Sequence, residues 1–379
     1  MLKILRKIYS IYNRQLILRN VFNRNHKKKV LISYITFPFK RPNLKTHTNI
    51  QESLVIAKVF DELGFICDVV DYNSTKKIAY EDYDVVFGFG DIFDKSFSTS
   101  KKILRIYYGT GRHPYFSNVA TIKRGIEVYE KSGVLLKESL RFIEKDYAIQ
   151  TIGSDALVLL GDHYLVDTYK KYTNTDCYNL NVSFIELLNP MEIINDKDFS
   201  EGKKHFLFFS GGGMIHKGLD VLLDAFSKRQ DLHLHVCAPL QNEKRFVKIF
   251  SENLKSENIH LYDFVKIESD NFKKILTKCA FVILPSCSEA MPTSVVNVCA
   301  NGGLIPILTN EASIKQDELS ILIREISADG VLDSLDLSQT LDNIELKRRS
   351  IGIVENILRD YSLESFNKNF KEILSKILI

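Results

Sequence analysis

The sequence predicts an α/β protein made of two Rossmann-like domains, each built on a parallel sheet. The chain has 379 residues, more than one hydrophobic core usually serves, so two domains are expected. Short apolar runs alternate along it with stretches of helical periodicity, which is the β-α-β order of a parallel sheet. A composition that is 45% hydrophobic and 26% charged is typical of a globular protein rather than a disordered one.

The basic character of the chain is confined to residues 1–29. This segment holds nine Lys and Arg residues and no acid, whereas the whole chain has a formal net charge of +4. Helical spacing places its apolar side chains opposite its basic ones. We therefore expect a basic amphipathic helix on an anionic membrane surface, with a helix packed on the protein as the alternative. Since the rest of the chain is net acidic, no nucleic-acid partner is expected.

The first predicted domain covers residues 30–189. One helix should begin after His47, and another should cover 119–150. Strands are expected at 30–37, 66–70, 85–89, 102–107, 156–160 and 180–184. The next segment, 190–204, is polar and is typical of a hinge.

The second predicted domain covers residues 205–350, and its first strand leads into a glycine-rich loop. Within 206–226, four apolar residues precede Gly211-Gly212-Gly213, which allow the backbone to approach a ligand closely. Lys217 and Gly218 then open a helix whose apolar residues recur at the spacing of a buried face. The pattern is strand, tight loop and helix.

A second stretch, 281–308, repeats this pattern. A short apolar strand ends in a polar loop that carries Glu289, and Pro292 suits the first position of the helix that follows. Gly303 and the two residues before it end that helix, and another strand begins. A strand end that leads into a helix N-terminus is where α/β sheets bind anionic ligands. A carboxylate at such a place suits the hydroxyls of a sugar attached to a phosphate.

Together the two stretches resemble the donor-binding domain of retaining nucleotide-sugar glycosyltransferases of the GT-B fold. This group includes glycosyltransferase family 4 (glycosyl transferases group 1), and the motifs GGGMIHKGLD and PSCSEAMPTSV look most like those of a bacterial subgroup. The resemblance implies a GT-B architecture, in which two Rossmann-like domains with parallel sheets face a central cleft. It also implies that a C-terminal helix, within 351–379, crosses back to the N-terminal acceptor domain.

The resemblance also implies a role for the motif residues. Lys217 and the glycine loop would hold the diphosphate of the donor, Glu289 would orient the donor sugar, and His113 would complete the catalytic set. The base would lie near Val265 and the ribose near Asn297. The donor-binding residues that it implies are Gly211, Gly212, Gly213, Val265, Ser286, Met291, Pro292, Thr293 and Asn297.

The sequence departs from the family pattern at two positions. Many members have an arginine five residues before the lysine, where this chain has Gly212. Many also have a second glutamate eight residues after the first, where this chain has Asn297. An amide there can still bond a ribose hydroxyl, but the missing arginine changes how the phosphate charge is neutralised.

Three residues of the first domain are candidates for catalysis or for acceptor binding. His113 follows a strand, in a turn that we expect to be exposed; the alternative is a histidine that only holds the turn. Arg112 either pairs with an anionic acceptor group or is solvated. His47 either enters its helix or contacts the acceptor.

These observations predict a retaining glycosyltransferase that uses a nucleotide-sugar donor in the synthesis of a surface polysaccharide, with a saccharide or lipid-linked acceptor. Six cysteines without a CxxC pair, and no signal peptide, indicate a cytoplasmic protein. Its basic residues 1–29 would then contact the inner face of the cell membrane. No cofactor or metal is expected, since the DxD patterns at 82–84 and 196–198 lie before a strand and in the hinge. The alternatives are a degenerate transferase that scaffolds a glycan-synthesis complex and a nucleotide-sugar epimerase.

Overall fold

The structure is a computed structural model of the chain. It describes residues 15–44, 47–145, 147–263, 265–312, 314 and 318–379. The helices of these residues, in chain order, are α1 (Thr48–Glu62), α2 (Gly90–Lys95), α3 (Pro114–Ser132), α4 (Ala148–Ile152), α5 (His163–Lys170), α6 (Pro190–Asp196), α7 (Phe199–Gly202), α8 (Leu219–Ser227), α9 (Lys244–Ile249), α10 (Ser251–Leu254), α11 (Asp270–Lys278), α12 (Thr293–Gly302), α13 (Ala328–Gln339), α14 (Asn343–Asp360) and α15 (Leu363–Ile377).

Within the described residues, seven strands form the first sheet. They are β1 (Ile17–Leu18), β2 (Lys28–Tyr34), β3 (Phe65–Asp71), β4 (Val85–Gly88), β5 (Leu104–Gly109), β6 (Ala156–Leu160) and β7 (Cys177–Leu180). Their spatial order is β1-β3-β2-β4-β5-β6-β7, and all neighbours except β1 and β3 are parallel. Every residue of β4 and β6 is buried, as expected for a parallel sheet covered on both faces.

The second sheet has six strands in the described part of the chain. They are β8 (His205–Phe209), β9 (His233–Cys237), β10 (Ile259–Tyr262), β11 (Phe281–Leu284), β12 (Ile305–Leu308) and β13 (Ile321–Leu322). Their order is β10-β9-β8-β11-β12-β13, and all neighbours are parallel. This is the strand order of a doubly wound Rossmann sheet. The predicted fold class, with two Rossmann-like parallel sheets, is confirmed.

The chain divides into two compact units, neither of which is continuous in sequence. The first comprises the described residues up to His113 and those within Lys145–Ser183 and Leu363–Ile379, and it contains the first sheet. The second comprises Pro114–Glu144 and Phe184–Ser362, and it contains the second sheet. Helix α3 therefore belongs to the second unit although it follows β5, and helix α15 belongs to the first.

Helix α15 is held in the first unit by aromatic packing. The ring centroid of Phe370 lies 6.2 Å from that of Phe60 on α1 and 5.5 Å from that of Phe87 on β4. Aromatic side chains that are this large and fully buried contribute strongly to a core. Residues 190–204, predicted to be a hinge, form helices α6 and α7 of the second unit, and their role as a hinge stays a prediction.

The helix predicted over residues 1–29 is wrong for the part that the structure describes. Ile17–Leu18 is a strand paired antiparallel with β3, and Lys28 begins β2. Pairing with β3 gives hydrogen-bond partners to the backbone N–H and C=O groups of Ile17–Leu18, whereas a short isolated helix is only marginally stable in water. Residues 1–14, which carry most of the predicted amphipathic pattern, lie outside the described residues.

The long helix predicted over 119–150 is also wrong in its second half. Helix α3 ends at Ser132, because Gly133 adopts a φ of +69° and its N–H donates a 2.7 Å hydrogen bond to the carbonyl of Tyr129. A mostly irregular segment follows, and α4 covers only Ala148–Ile152.

Candidate functional site

Two loops of the second unit leave its sheet at the point where the strand order reverses. The first follows β8 and carries the three glycines and Lys217; the second follows β11 and carries Glu289. Strands β8 and β11 are parallel neighbours, with Phe206 opposite Phe281, so both loops leave the same carboxyl edge. In doubly wound sheets, ligands bind at this edge and at this reversal of strand order.

The two loops contact each other at Gly218. This residue has a φ of +75°, and a Cβ added to it would lie 2.3 Å from the carbonyl oxygen of Pro285. The backbone N–H of Cys287 donates a 3.0 Å hydrogen bond to the carbonyl of His216. Because only glycine permits this approach, Gly218 fixes where Lys217 lies relative to the second loop.

Lys217 and Glu289, two of the predicted site residues, are brought together. The ammonium of Lys217 donates to Oε1 of Glu289 in an ion pair whose side chains are 8% and 10% exposed. The hydroxyl of Ser286 lies 2.8 Å from the same Oε1. The other carboxylate oxygen, Oε2, lies 4.0 Å from Nη1 of Arg141, a residue that the sequence analysis did not identify.

Glu289 is ionised at neutral pH. Burial by itself would raise the pKa of this carboxyl, but the positive charge of Lys217, with a smaller contribution from Arg141, lowers the pKa to about 2. Glu289 is therefore a permanently charged hydrogen-bond acceptor that is buried next to the ammonium of Lys217.

His216 connects the two loops to helix α3. Its Nε2 lies 2.7 Å from the carbonyl oxygen of Ser288 and its Nδ1 lies 3.0 Å from the hydroxyl of Thr121, which assigns the proton to Nε2. Burial lowers the pKa of His216 to about 4, so the ring is neutral at pH 7. These contacts fit a histidine that holds the loops in place.

The glycine loop already holds a carboxylate of the protein. The buried side chain of Glu243 accepts hydrogen bonds from the backbone N–H of Gly213 at 2.6 Å and of Met214 at 3.1 Å. A Cβ on Gly212 would lie 3.4 Å from Oε1 of Glu243, whereas one on Gly211 would meet open space. The Gly213 amide, which was expected to hold a diphosphate, is therefore occupied by Glu243 in this structure.

Helix α3 presents three polar residues at helical spacing to this site. The hydroxyl of Ser117 lies 2.8 Å from that of Ser288, and Thr121 contacts His216. One turn further on, Arg124 forms a buried ion pair with Asp220 of α8. Helical periodicity alone would place Arg124 on a solvated face, but the residue is buried; the polar residues at 117, 121 and 124 were the available signal.

Asn297 has a structural role. Its Oδ1 accepts a 2.8 Å hydrogen bond from the N–H of Ile185, and its Nδ2 donates 2.7 Å to the carbonyl of Thr293. One turn later, Asn301 accepts from the N–H groups of Leu187 and Leu188. The two side-chain amides hold an extended segment against α12, so the ribose contact predicted for Asn297 requires this bonding to change.

The remaining predicted donor residues border the second loop or follow β10. Met291 and Pro292 are buried, and Thr293 is half-buried at the start of α12. Pro292 is the N-cap of that helix rather than its first residue, so the helix begins one position later than predicted. Val265 is buried, three residues after the end of β10.

His113 and Arg112 of the first unit are both buried, at 2% and 1% exposure. The ring of His113 stacks on Tyr172 at 4.3 Å between centroids, and its backbone N–H donates to the hydroxyl of Thr168. The guanidinium of Arg112 lies 4.6 Å from the ring centroid of Tyr164. The expectations of an exposed His113 and a solvated Arg112 are wrong, because side chains on and just after α5 cover both.

His47 is the N-cap of α1. Its Nδ1 accepts a 3.2 Å hydrogen bond from the backbone N–H of Asn49, which satisfies a free amide of the helix start. This is the helix-entry role that the sequence offered as one of two alternatives, and the acceptor contact stays a prediction.

The architecture matches that of solved GT-B glycosyltransferases, so the fold is the GT-B fold. Sucrose-phosphate synthase from Thermosynechococcus elongatus aligns over 93% of this chain and 99% of its own, with a TM-score of 0.62 and 8% identity. A glycosyltransferase from Rickettsia africae aligns over 93% and 99%, with a TM-score of 0.57 and 13% identity. HepE from Anabaena, in complex with UDP and glucose, aligns over 92% and 100%, with a TM-score of 0.58 and 10% identity. At these identities the likeness concerns the fold alone.

The sequence of the second unit gives the more specific match. Residues 191–317 match the sequence model of the family "Glycosyl transferases group 1". This segment contains both loops of the site and the ion pair of Lys217 and Glu289. Among curated proteins, none matches the sequence of this chain significantly.

Among the described residues, no group of three or more His, Cys, Asp or Glu side chains is arranged to hold a metal ion. No helix in this part of the chain combines the length and the apolar character that crossing a bilayer requires.

Proposed function

We propose that this protein is a glycosyltransferase that moves a sugar from a nucleotide-sugar donor to an acceptor. The observation that carries the proposal is the buried pair of Lys217 and Glu289 at the strand-order reversal of the second sheet. The cation suits the charge of a leaving diphosphate, and the carboxylate suits the hydroxyls of a sugar. The match of residues 191–317 to glycosyl transferases group 1 supports the same conclusion.

Lys217 has the properties that stabilisation of the leaving group needs. Departure of a nucleoside diphosphate places negative charge on its terminal phosphate, and a buried cation acts on that charge more strongly than an exposed one. The backbone contact at Gly218 fixes the ammonium before the donor binds. The diphosphate would then compete with Glu289 for this ammonium.

Glu289 would orient the donor sugar. Lys217 and Ser286 hold its Oε1, so the carboxylate has one fixed orientation, and Oε2 is the oxygen that would accept from a sugar hydroxyl. Because the pKa of Glu289 is about 2, its carboxylate keeps its negative charge at every pH near neutrality.

Within this proposal the enzyme retains the anomeric configuration of the donor and transfers to a saccharide or lipid-linked saccharide in bacterial surface polysaccharide synthesis. His47 and Arg112 would contact the acceptor, and His113 would join the catalytic set after the side chains that cover it rearrange. The enzyme would work in the cytoplasm, without a metal, with the basic residues Lys3, Arg6 and Lys7 on the inner face of the membrane. HepE shares the fold and its structure holds UDP and glucose, so a UDP-sugar is the first donor to test.

The proposal is tested by thermal unfolding against a panel of nucleoside diphosphates and their sugars, followed by donor turnover. A ligand at about 100 times its Kd stabilises the folded state by about 2.7 kcal/mol, and we expect one panel member to do so. Lys217→Ala should lose the stabilisation, whereas Lys228→Ala, an exposed lysine at the end of α8, should keep it. Glu289→Ala should lose turnover while staying folded. If no panel member binds the unaltered protein and no donor is turned over, the proposal is wrong.

A degenerate transferase that scaffolds a glycan-synthesis complex is the second candidate. Two observations favour it. Glu243 already bonds the backbone N–H groups of Gly213 and Met214, and the side-chain amide of Asn297 is already bonded to the backbone. Glu243→Gln distinguishes the two candidates. In a transferase this change should tighten diphosphate binding, because it removes a competing negative charge, whereas a scaffold should bind no diphosphate with either side chain.

A further inference from the structure

We propose that Arg141 binds the diphosphate of the donor beside Lys217 and Glu289. The inference rests on the proposed function and names one more residue of the same site. Arg141 lies in the irregular segment after α3, far in sequence from both motif loops, and nothing in its local sequence marks it.

The stem of Arg141 packs over the glycine loop. A Cβ on Gly213 would lie 2.8 Å from Cγ and 2.9 Å from Cδ of Arg141, and the φ of Gly213 is +93°. A side chain at position 213 would therefore displace Arg141. From the sequence, Gly213 was expected to let a ligand approach the backbone closely. In the structure it makes room for the side chain of Arg141.

The segment that carries Arg141 is anchored on both sides. The carbonyl oxygen of Ser139 accepts hydrogen bonds of 3.2 Å and 3.1 Å from the N–H groups of Ile215 and His216. After Arg141, the side chain of Asn118 accepts from the N–H of Ile143 at 2.9 Å and donates to its carbonyl at 3.0 Å. The arginine is consequently held beside the site before any ligand binds, which lowers the entropy cost of binding.

Unlike its neighbours in the site, the guanidinium of Arg141 has N–H groups that can still donate hydrogen bonds to a ligand. Lys217 is paired with Glu289, and the Gly213 amide is bonded to Glu243. Arg141 makes a 4.0 Å ion pair with Glu289, and its side chain is 54% exposed. A guanidinium has five N–H donors in a planar fork that matches phosphate oxygens in a bidentate manner. A diphosphate that approaches this exposed side of the site meets Arg141.

The test compares the binding of UDP, UMP and uridine to the full-length protein by calorimetry. Arg141→Ala should weaken UDP binding by about tenfold to a hundredfold, as expected for lost hydrogen bonds to a charged group. Arg141→Lys should recover part of the loss, because it keeps the charge but not the fork. Uridine, which lacks phosphate, should bind all three proteins alike. Arg348→Ala is the control, since Arg348 on α14 is similarly exposed at 52% and is also held by an ion pair.

The outcomes separate this inference from the proposed function. If UDP binds the unaltered protein and Arg141→Ala equally well, the inference is wrong and the proposed function stands. If Arg141→Ala weakens uridine binding as much as UDP binding, Arg141 supports the fold of the site and does not contact phosphate, so the inference is again wrong. If neither UDP nor any other nucleoside diphosphate binds the unaltered protein, both proposals are wrong.

Discussion

Arg124 of α3 and Asp220 of α8 form an ion pair in which both side chains are only 5% exposed. Oδ2 of Asp220 accepts from the guanidinium, while Oδ1 is buried and has no hydrogen-bond partner among the described residues. Within the second unit, the pair joins α3, which follows β5 in the chain, to α8, which begins after Gly218. Arg124 also pairs with Glu127 on its own helix, whereas Asp220 relies on Arg124 for its counter-charge.

Arg124→Met should lower the free energy of unfolding by about 3 to 5 kcal/mol, because it leaves Asp220 buried and uncompensated. The double variant Arg124→Met with Asp220→Leu should recover most of this loss, since the pair is then replaced by apolar side chains. Urea unfolding of both variants measures the difference. A double variant less stable than Arg124→Met would contradict this account.

Four histidines lie together on the strands β8, β9 and β10. His205 pairs in register with His233, and His235 with His260. Nδ1 of His205 lies 2.9 Å from Nε2 of His235, so one of these nitrogens carries a proton and the other accepts it. Burial, together with the positive charge that its neighbours acquire when protonated, lowers the pKa of His235 to about 2.

The second unit should therefore lose stability as the pH falls below 6.5. The unfolded chain binds a proton at His235 below that pH, whereas the folded chain does not until the pH approaches the folded pKa of about 2. Between pH 6.5 and pH 5 this single residue should cost about 2 kcal/mol. Urea unfolding of His235→Gln should show a shallower pH dependence than the unaltered protein, and equal slopes would exclude this cause.

Lys197 is a buried lysine held by backbone carbonyls. Its ammonium donates 2.6 Å to the carbonyl of Cys279 and 3.2 Å to that of Gly302, at the C-terminal ends of α11 and α12. A cation is favoured there by the helix dipoles. Burial nevertheless lowers the pKa of Lys197 to about 7.

Raising the pH from 7 to 9 should therefore stabilise the protein through Lys197. In that range the unfolded lysine keeps its proton and the folded one loses it, so stability rises with pH, by about 2 kcal/mol. Lys197→Met should remove this rise, whatever its effect on absolute stability. The measurement is urea unfolding at both pH values, with exposed Lys255→Met as the control.

Asn301→Ala should destabilise the second unit by about 2 kcal/mol or more. The change leaves the N–H groups of Leu187 and Leu188 and the carbonyl of Ile185 without the partners that the amide provides. Thermal unfolding measures the effect, and Asn253→Ala, on the short helix α10, is the control. An unchanged Tm would show that these backbone groups find other partners.

Replacing Lys3, Arg6 and Lys7 by glutamine should weaken binding to vesicles that contain anionic lipid. Each cation near such a surface contributes about 1 kcal/mol, and added salt should reduce the difference. Co-sedimentation measures it, with neutral vesicles as one control. A triple variant of the exposed lysines Lys58, Lys228 and Lys255 is the other. Equal binding by both triple variants would contradict a specific role of the N-terminal segment.

Local patterns predicted the strands and the glycine motif well. The boundaries of β6 are those predicted, because a continuous apolar run between turn residues leaves few alternatives. Gly303 ends α12 with a φ of +60°, as its position after the apolar periodicity predicted. Lys217 and Glu289, whose motifs the resemblance assigned to one binding site, form an ion pair.

Contacts between residues distant in sequence were not predictable in this way. Glu243 and Arg141 reach the glycine loop from other segments, and neither has a local pattern that marks it. Ile17–Leu18 was assigned to a helix because its pairing with β3 is invisible to periodicity. The strand predicted at 180–184 is instead Cys177–Leu180, since the register with β6 decides where it ends.

The position of helix α3 has a consequence for the synthesis of the chain. The helix is made early, but its polar partners His216, Asp220 and Ser288 are made about a hundred residues or more later. The nascent chain must therefore carry Arg124 without its buried counter-charge until the ribosome has passed Asp220, just after the first loop. A fragment that starts at Phe184 would lack α3 altogether and leave Asp220 without its cation. Such a fragment, although it contains the whole of the second sheet, should aggregate unless Pro114–Glu144 is supplied with it.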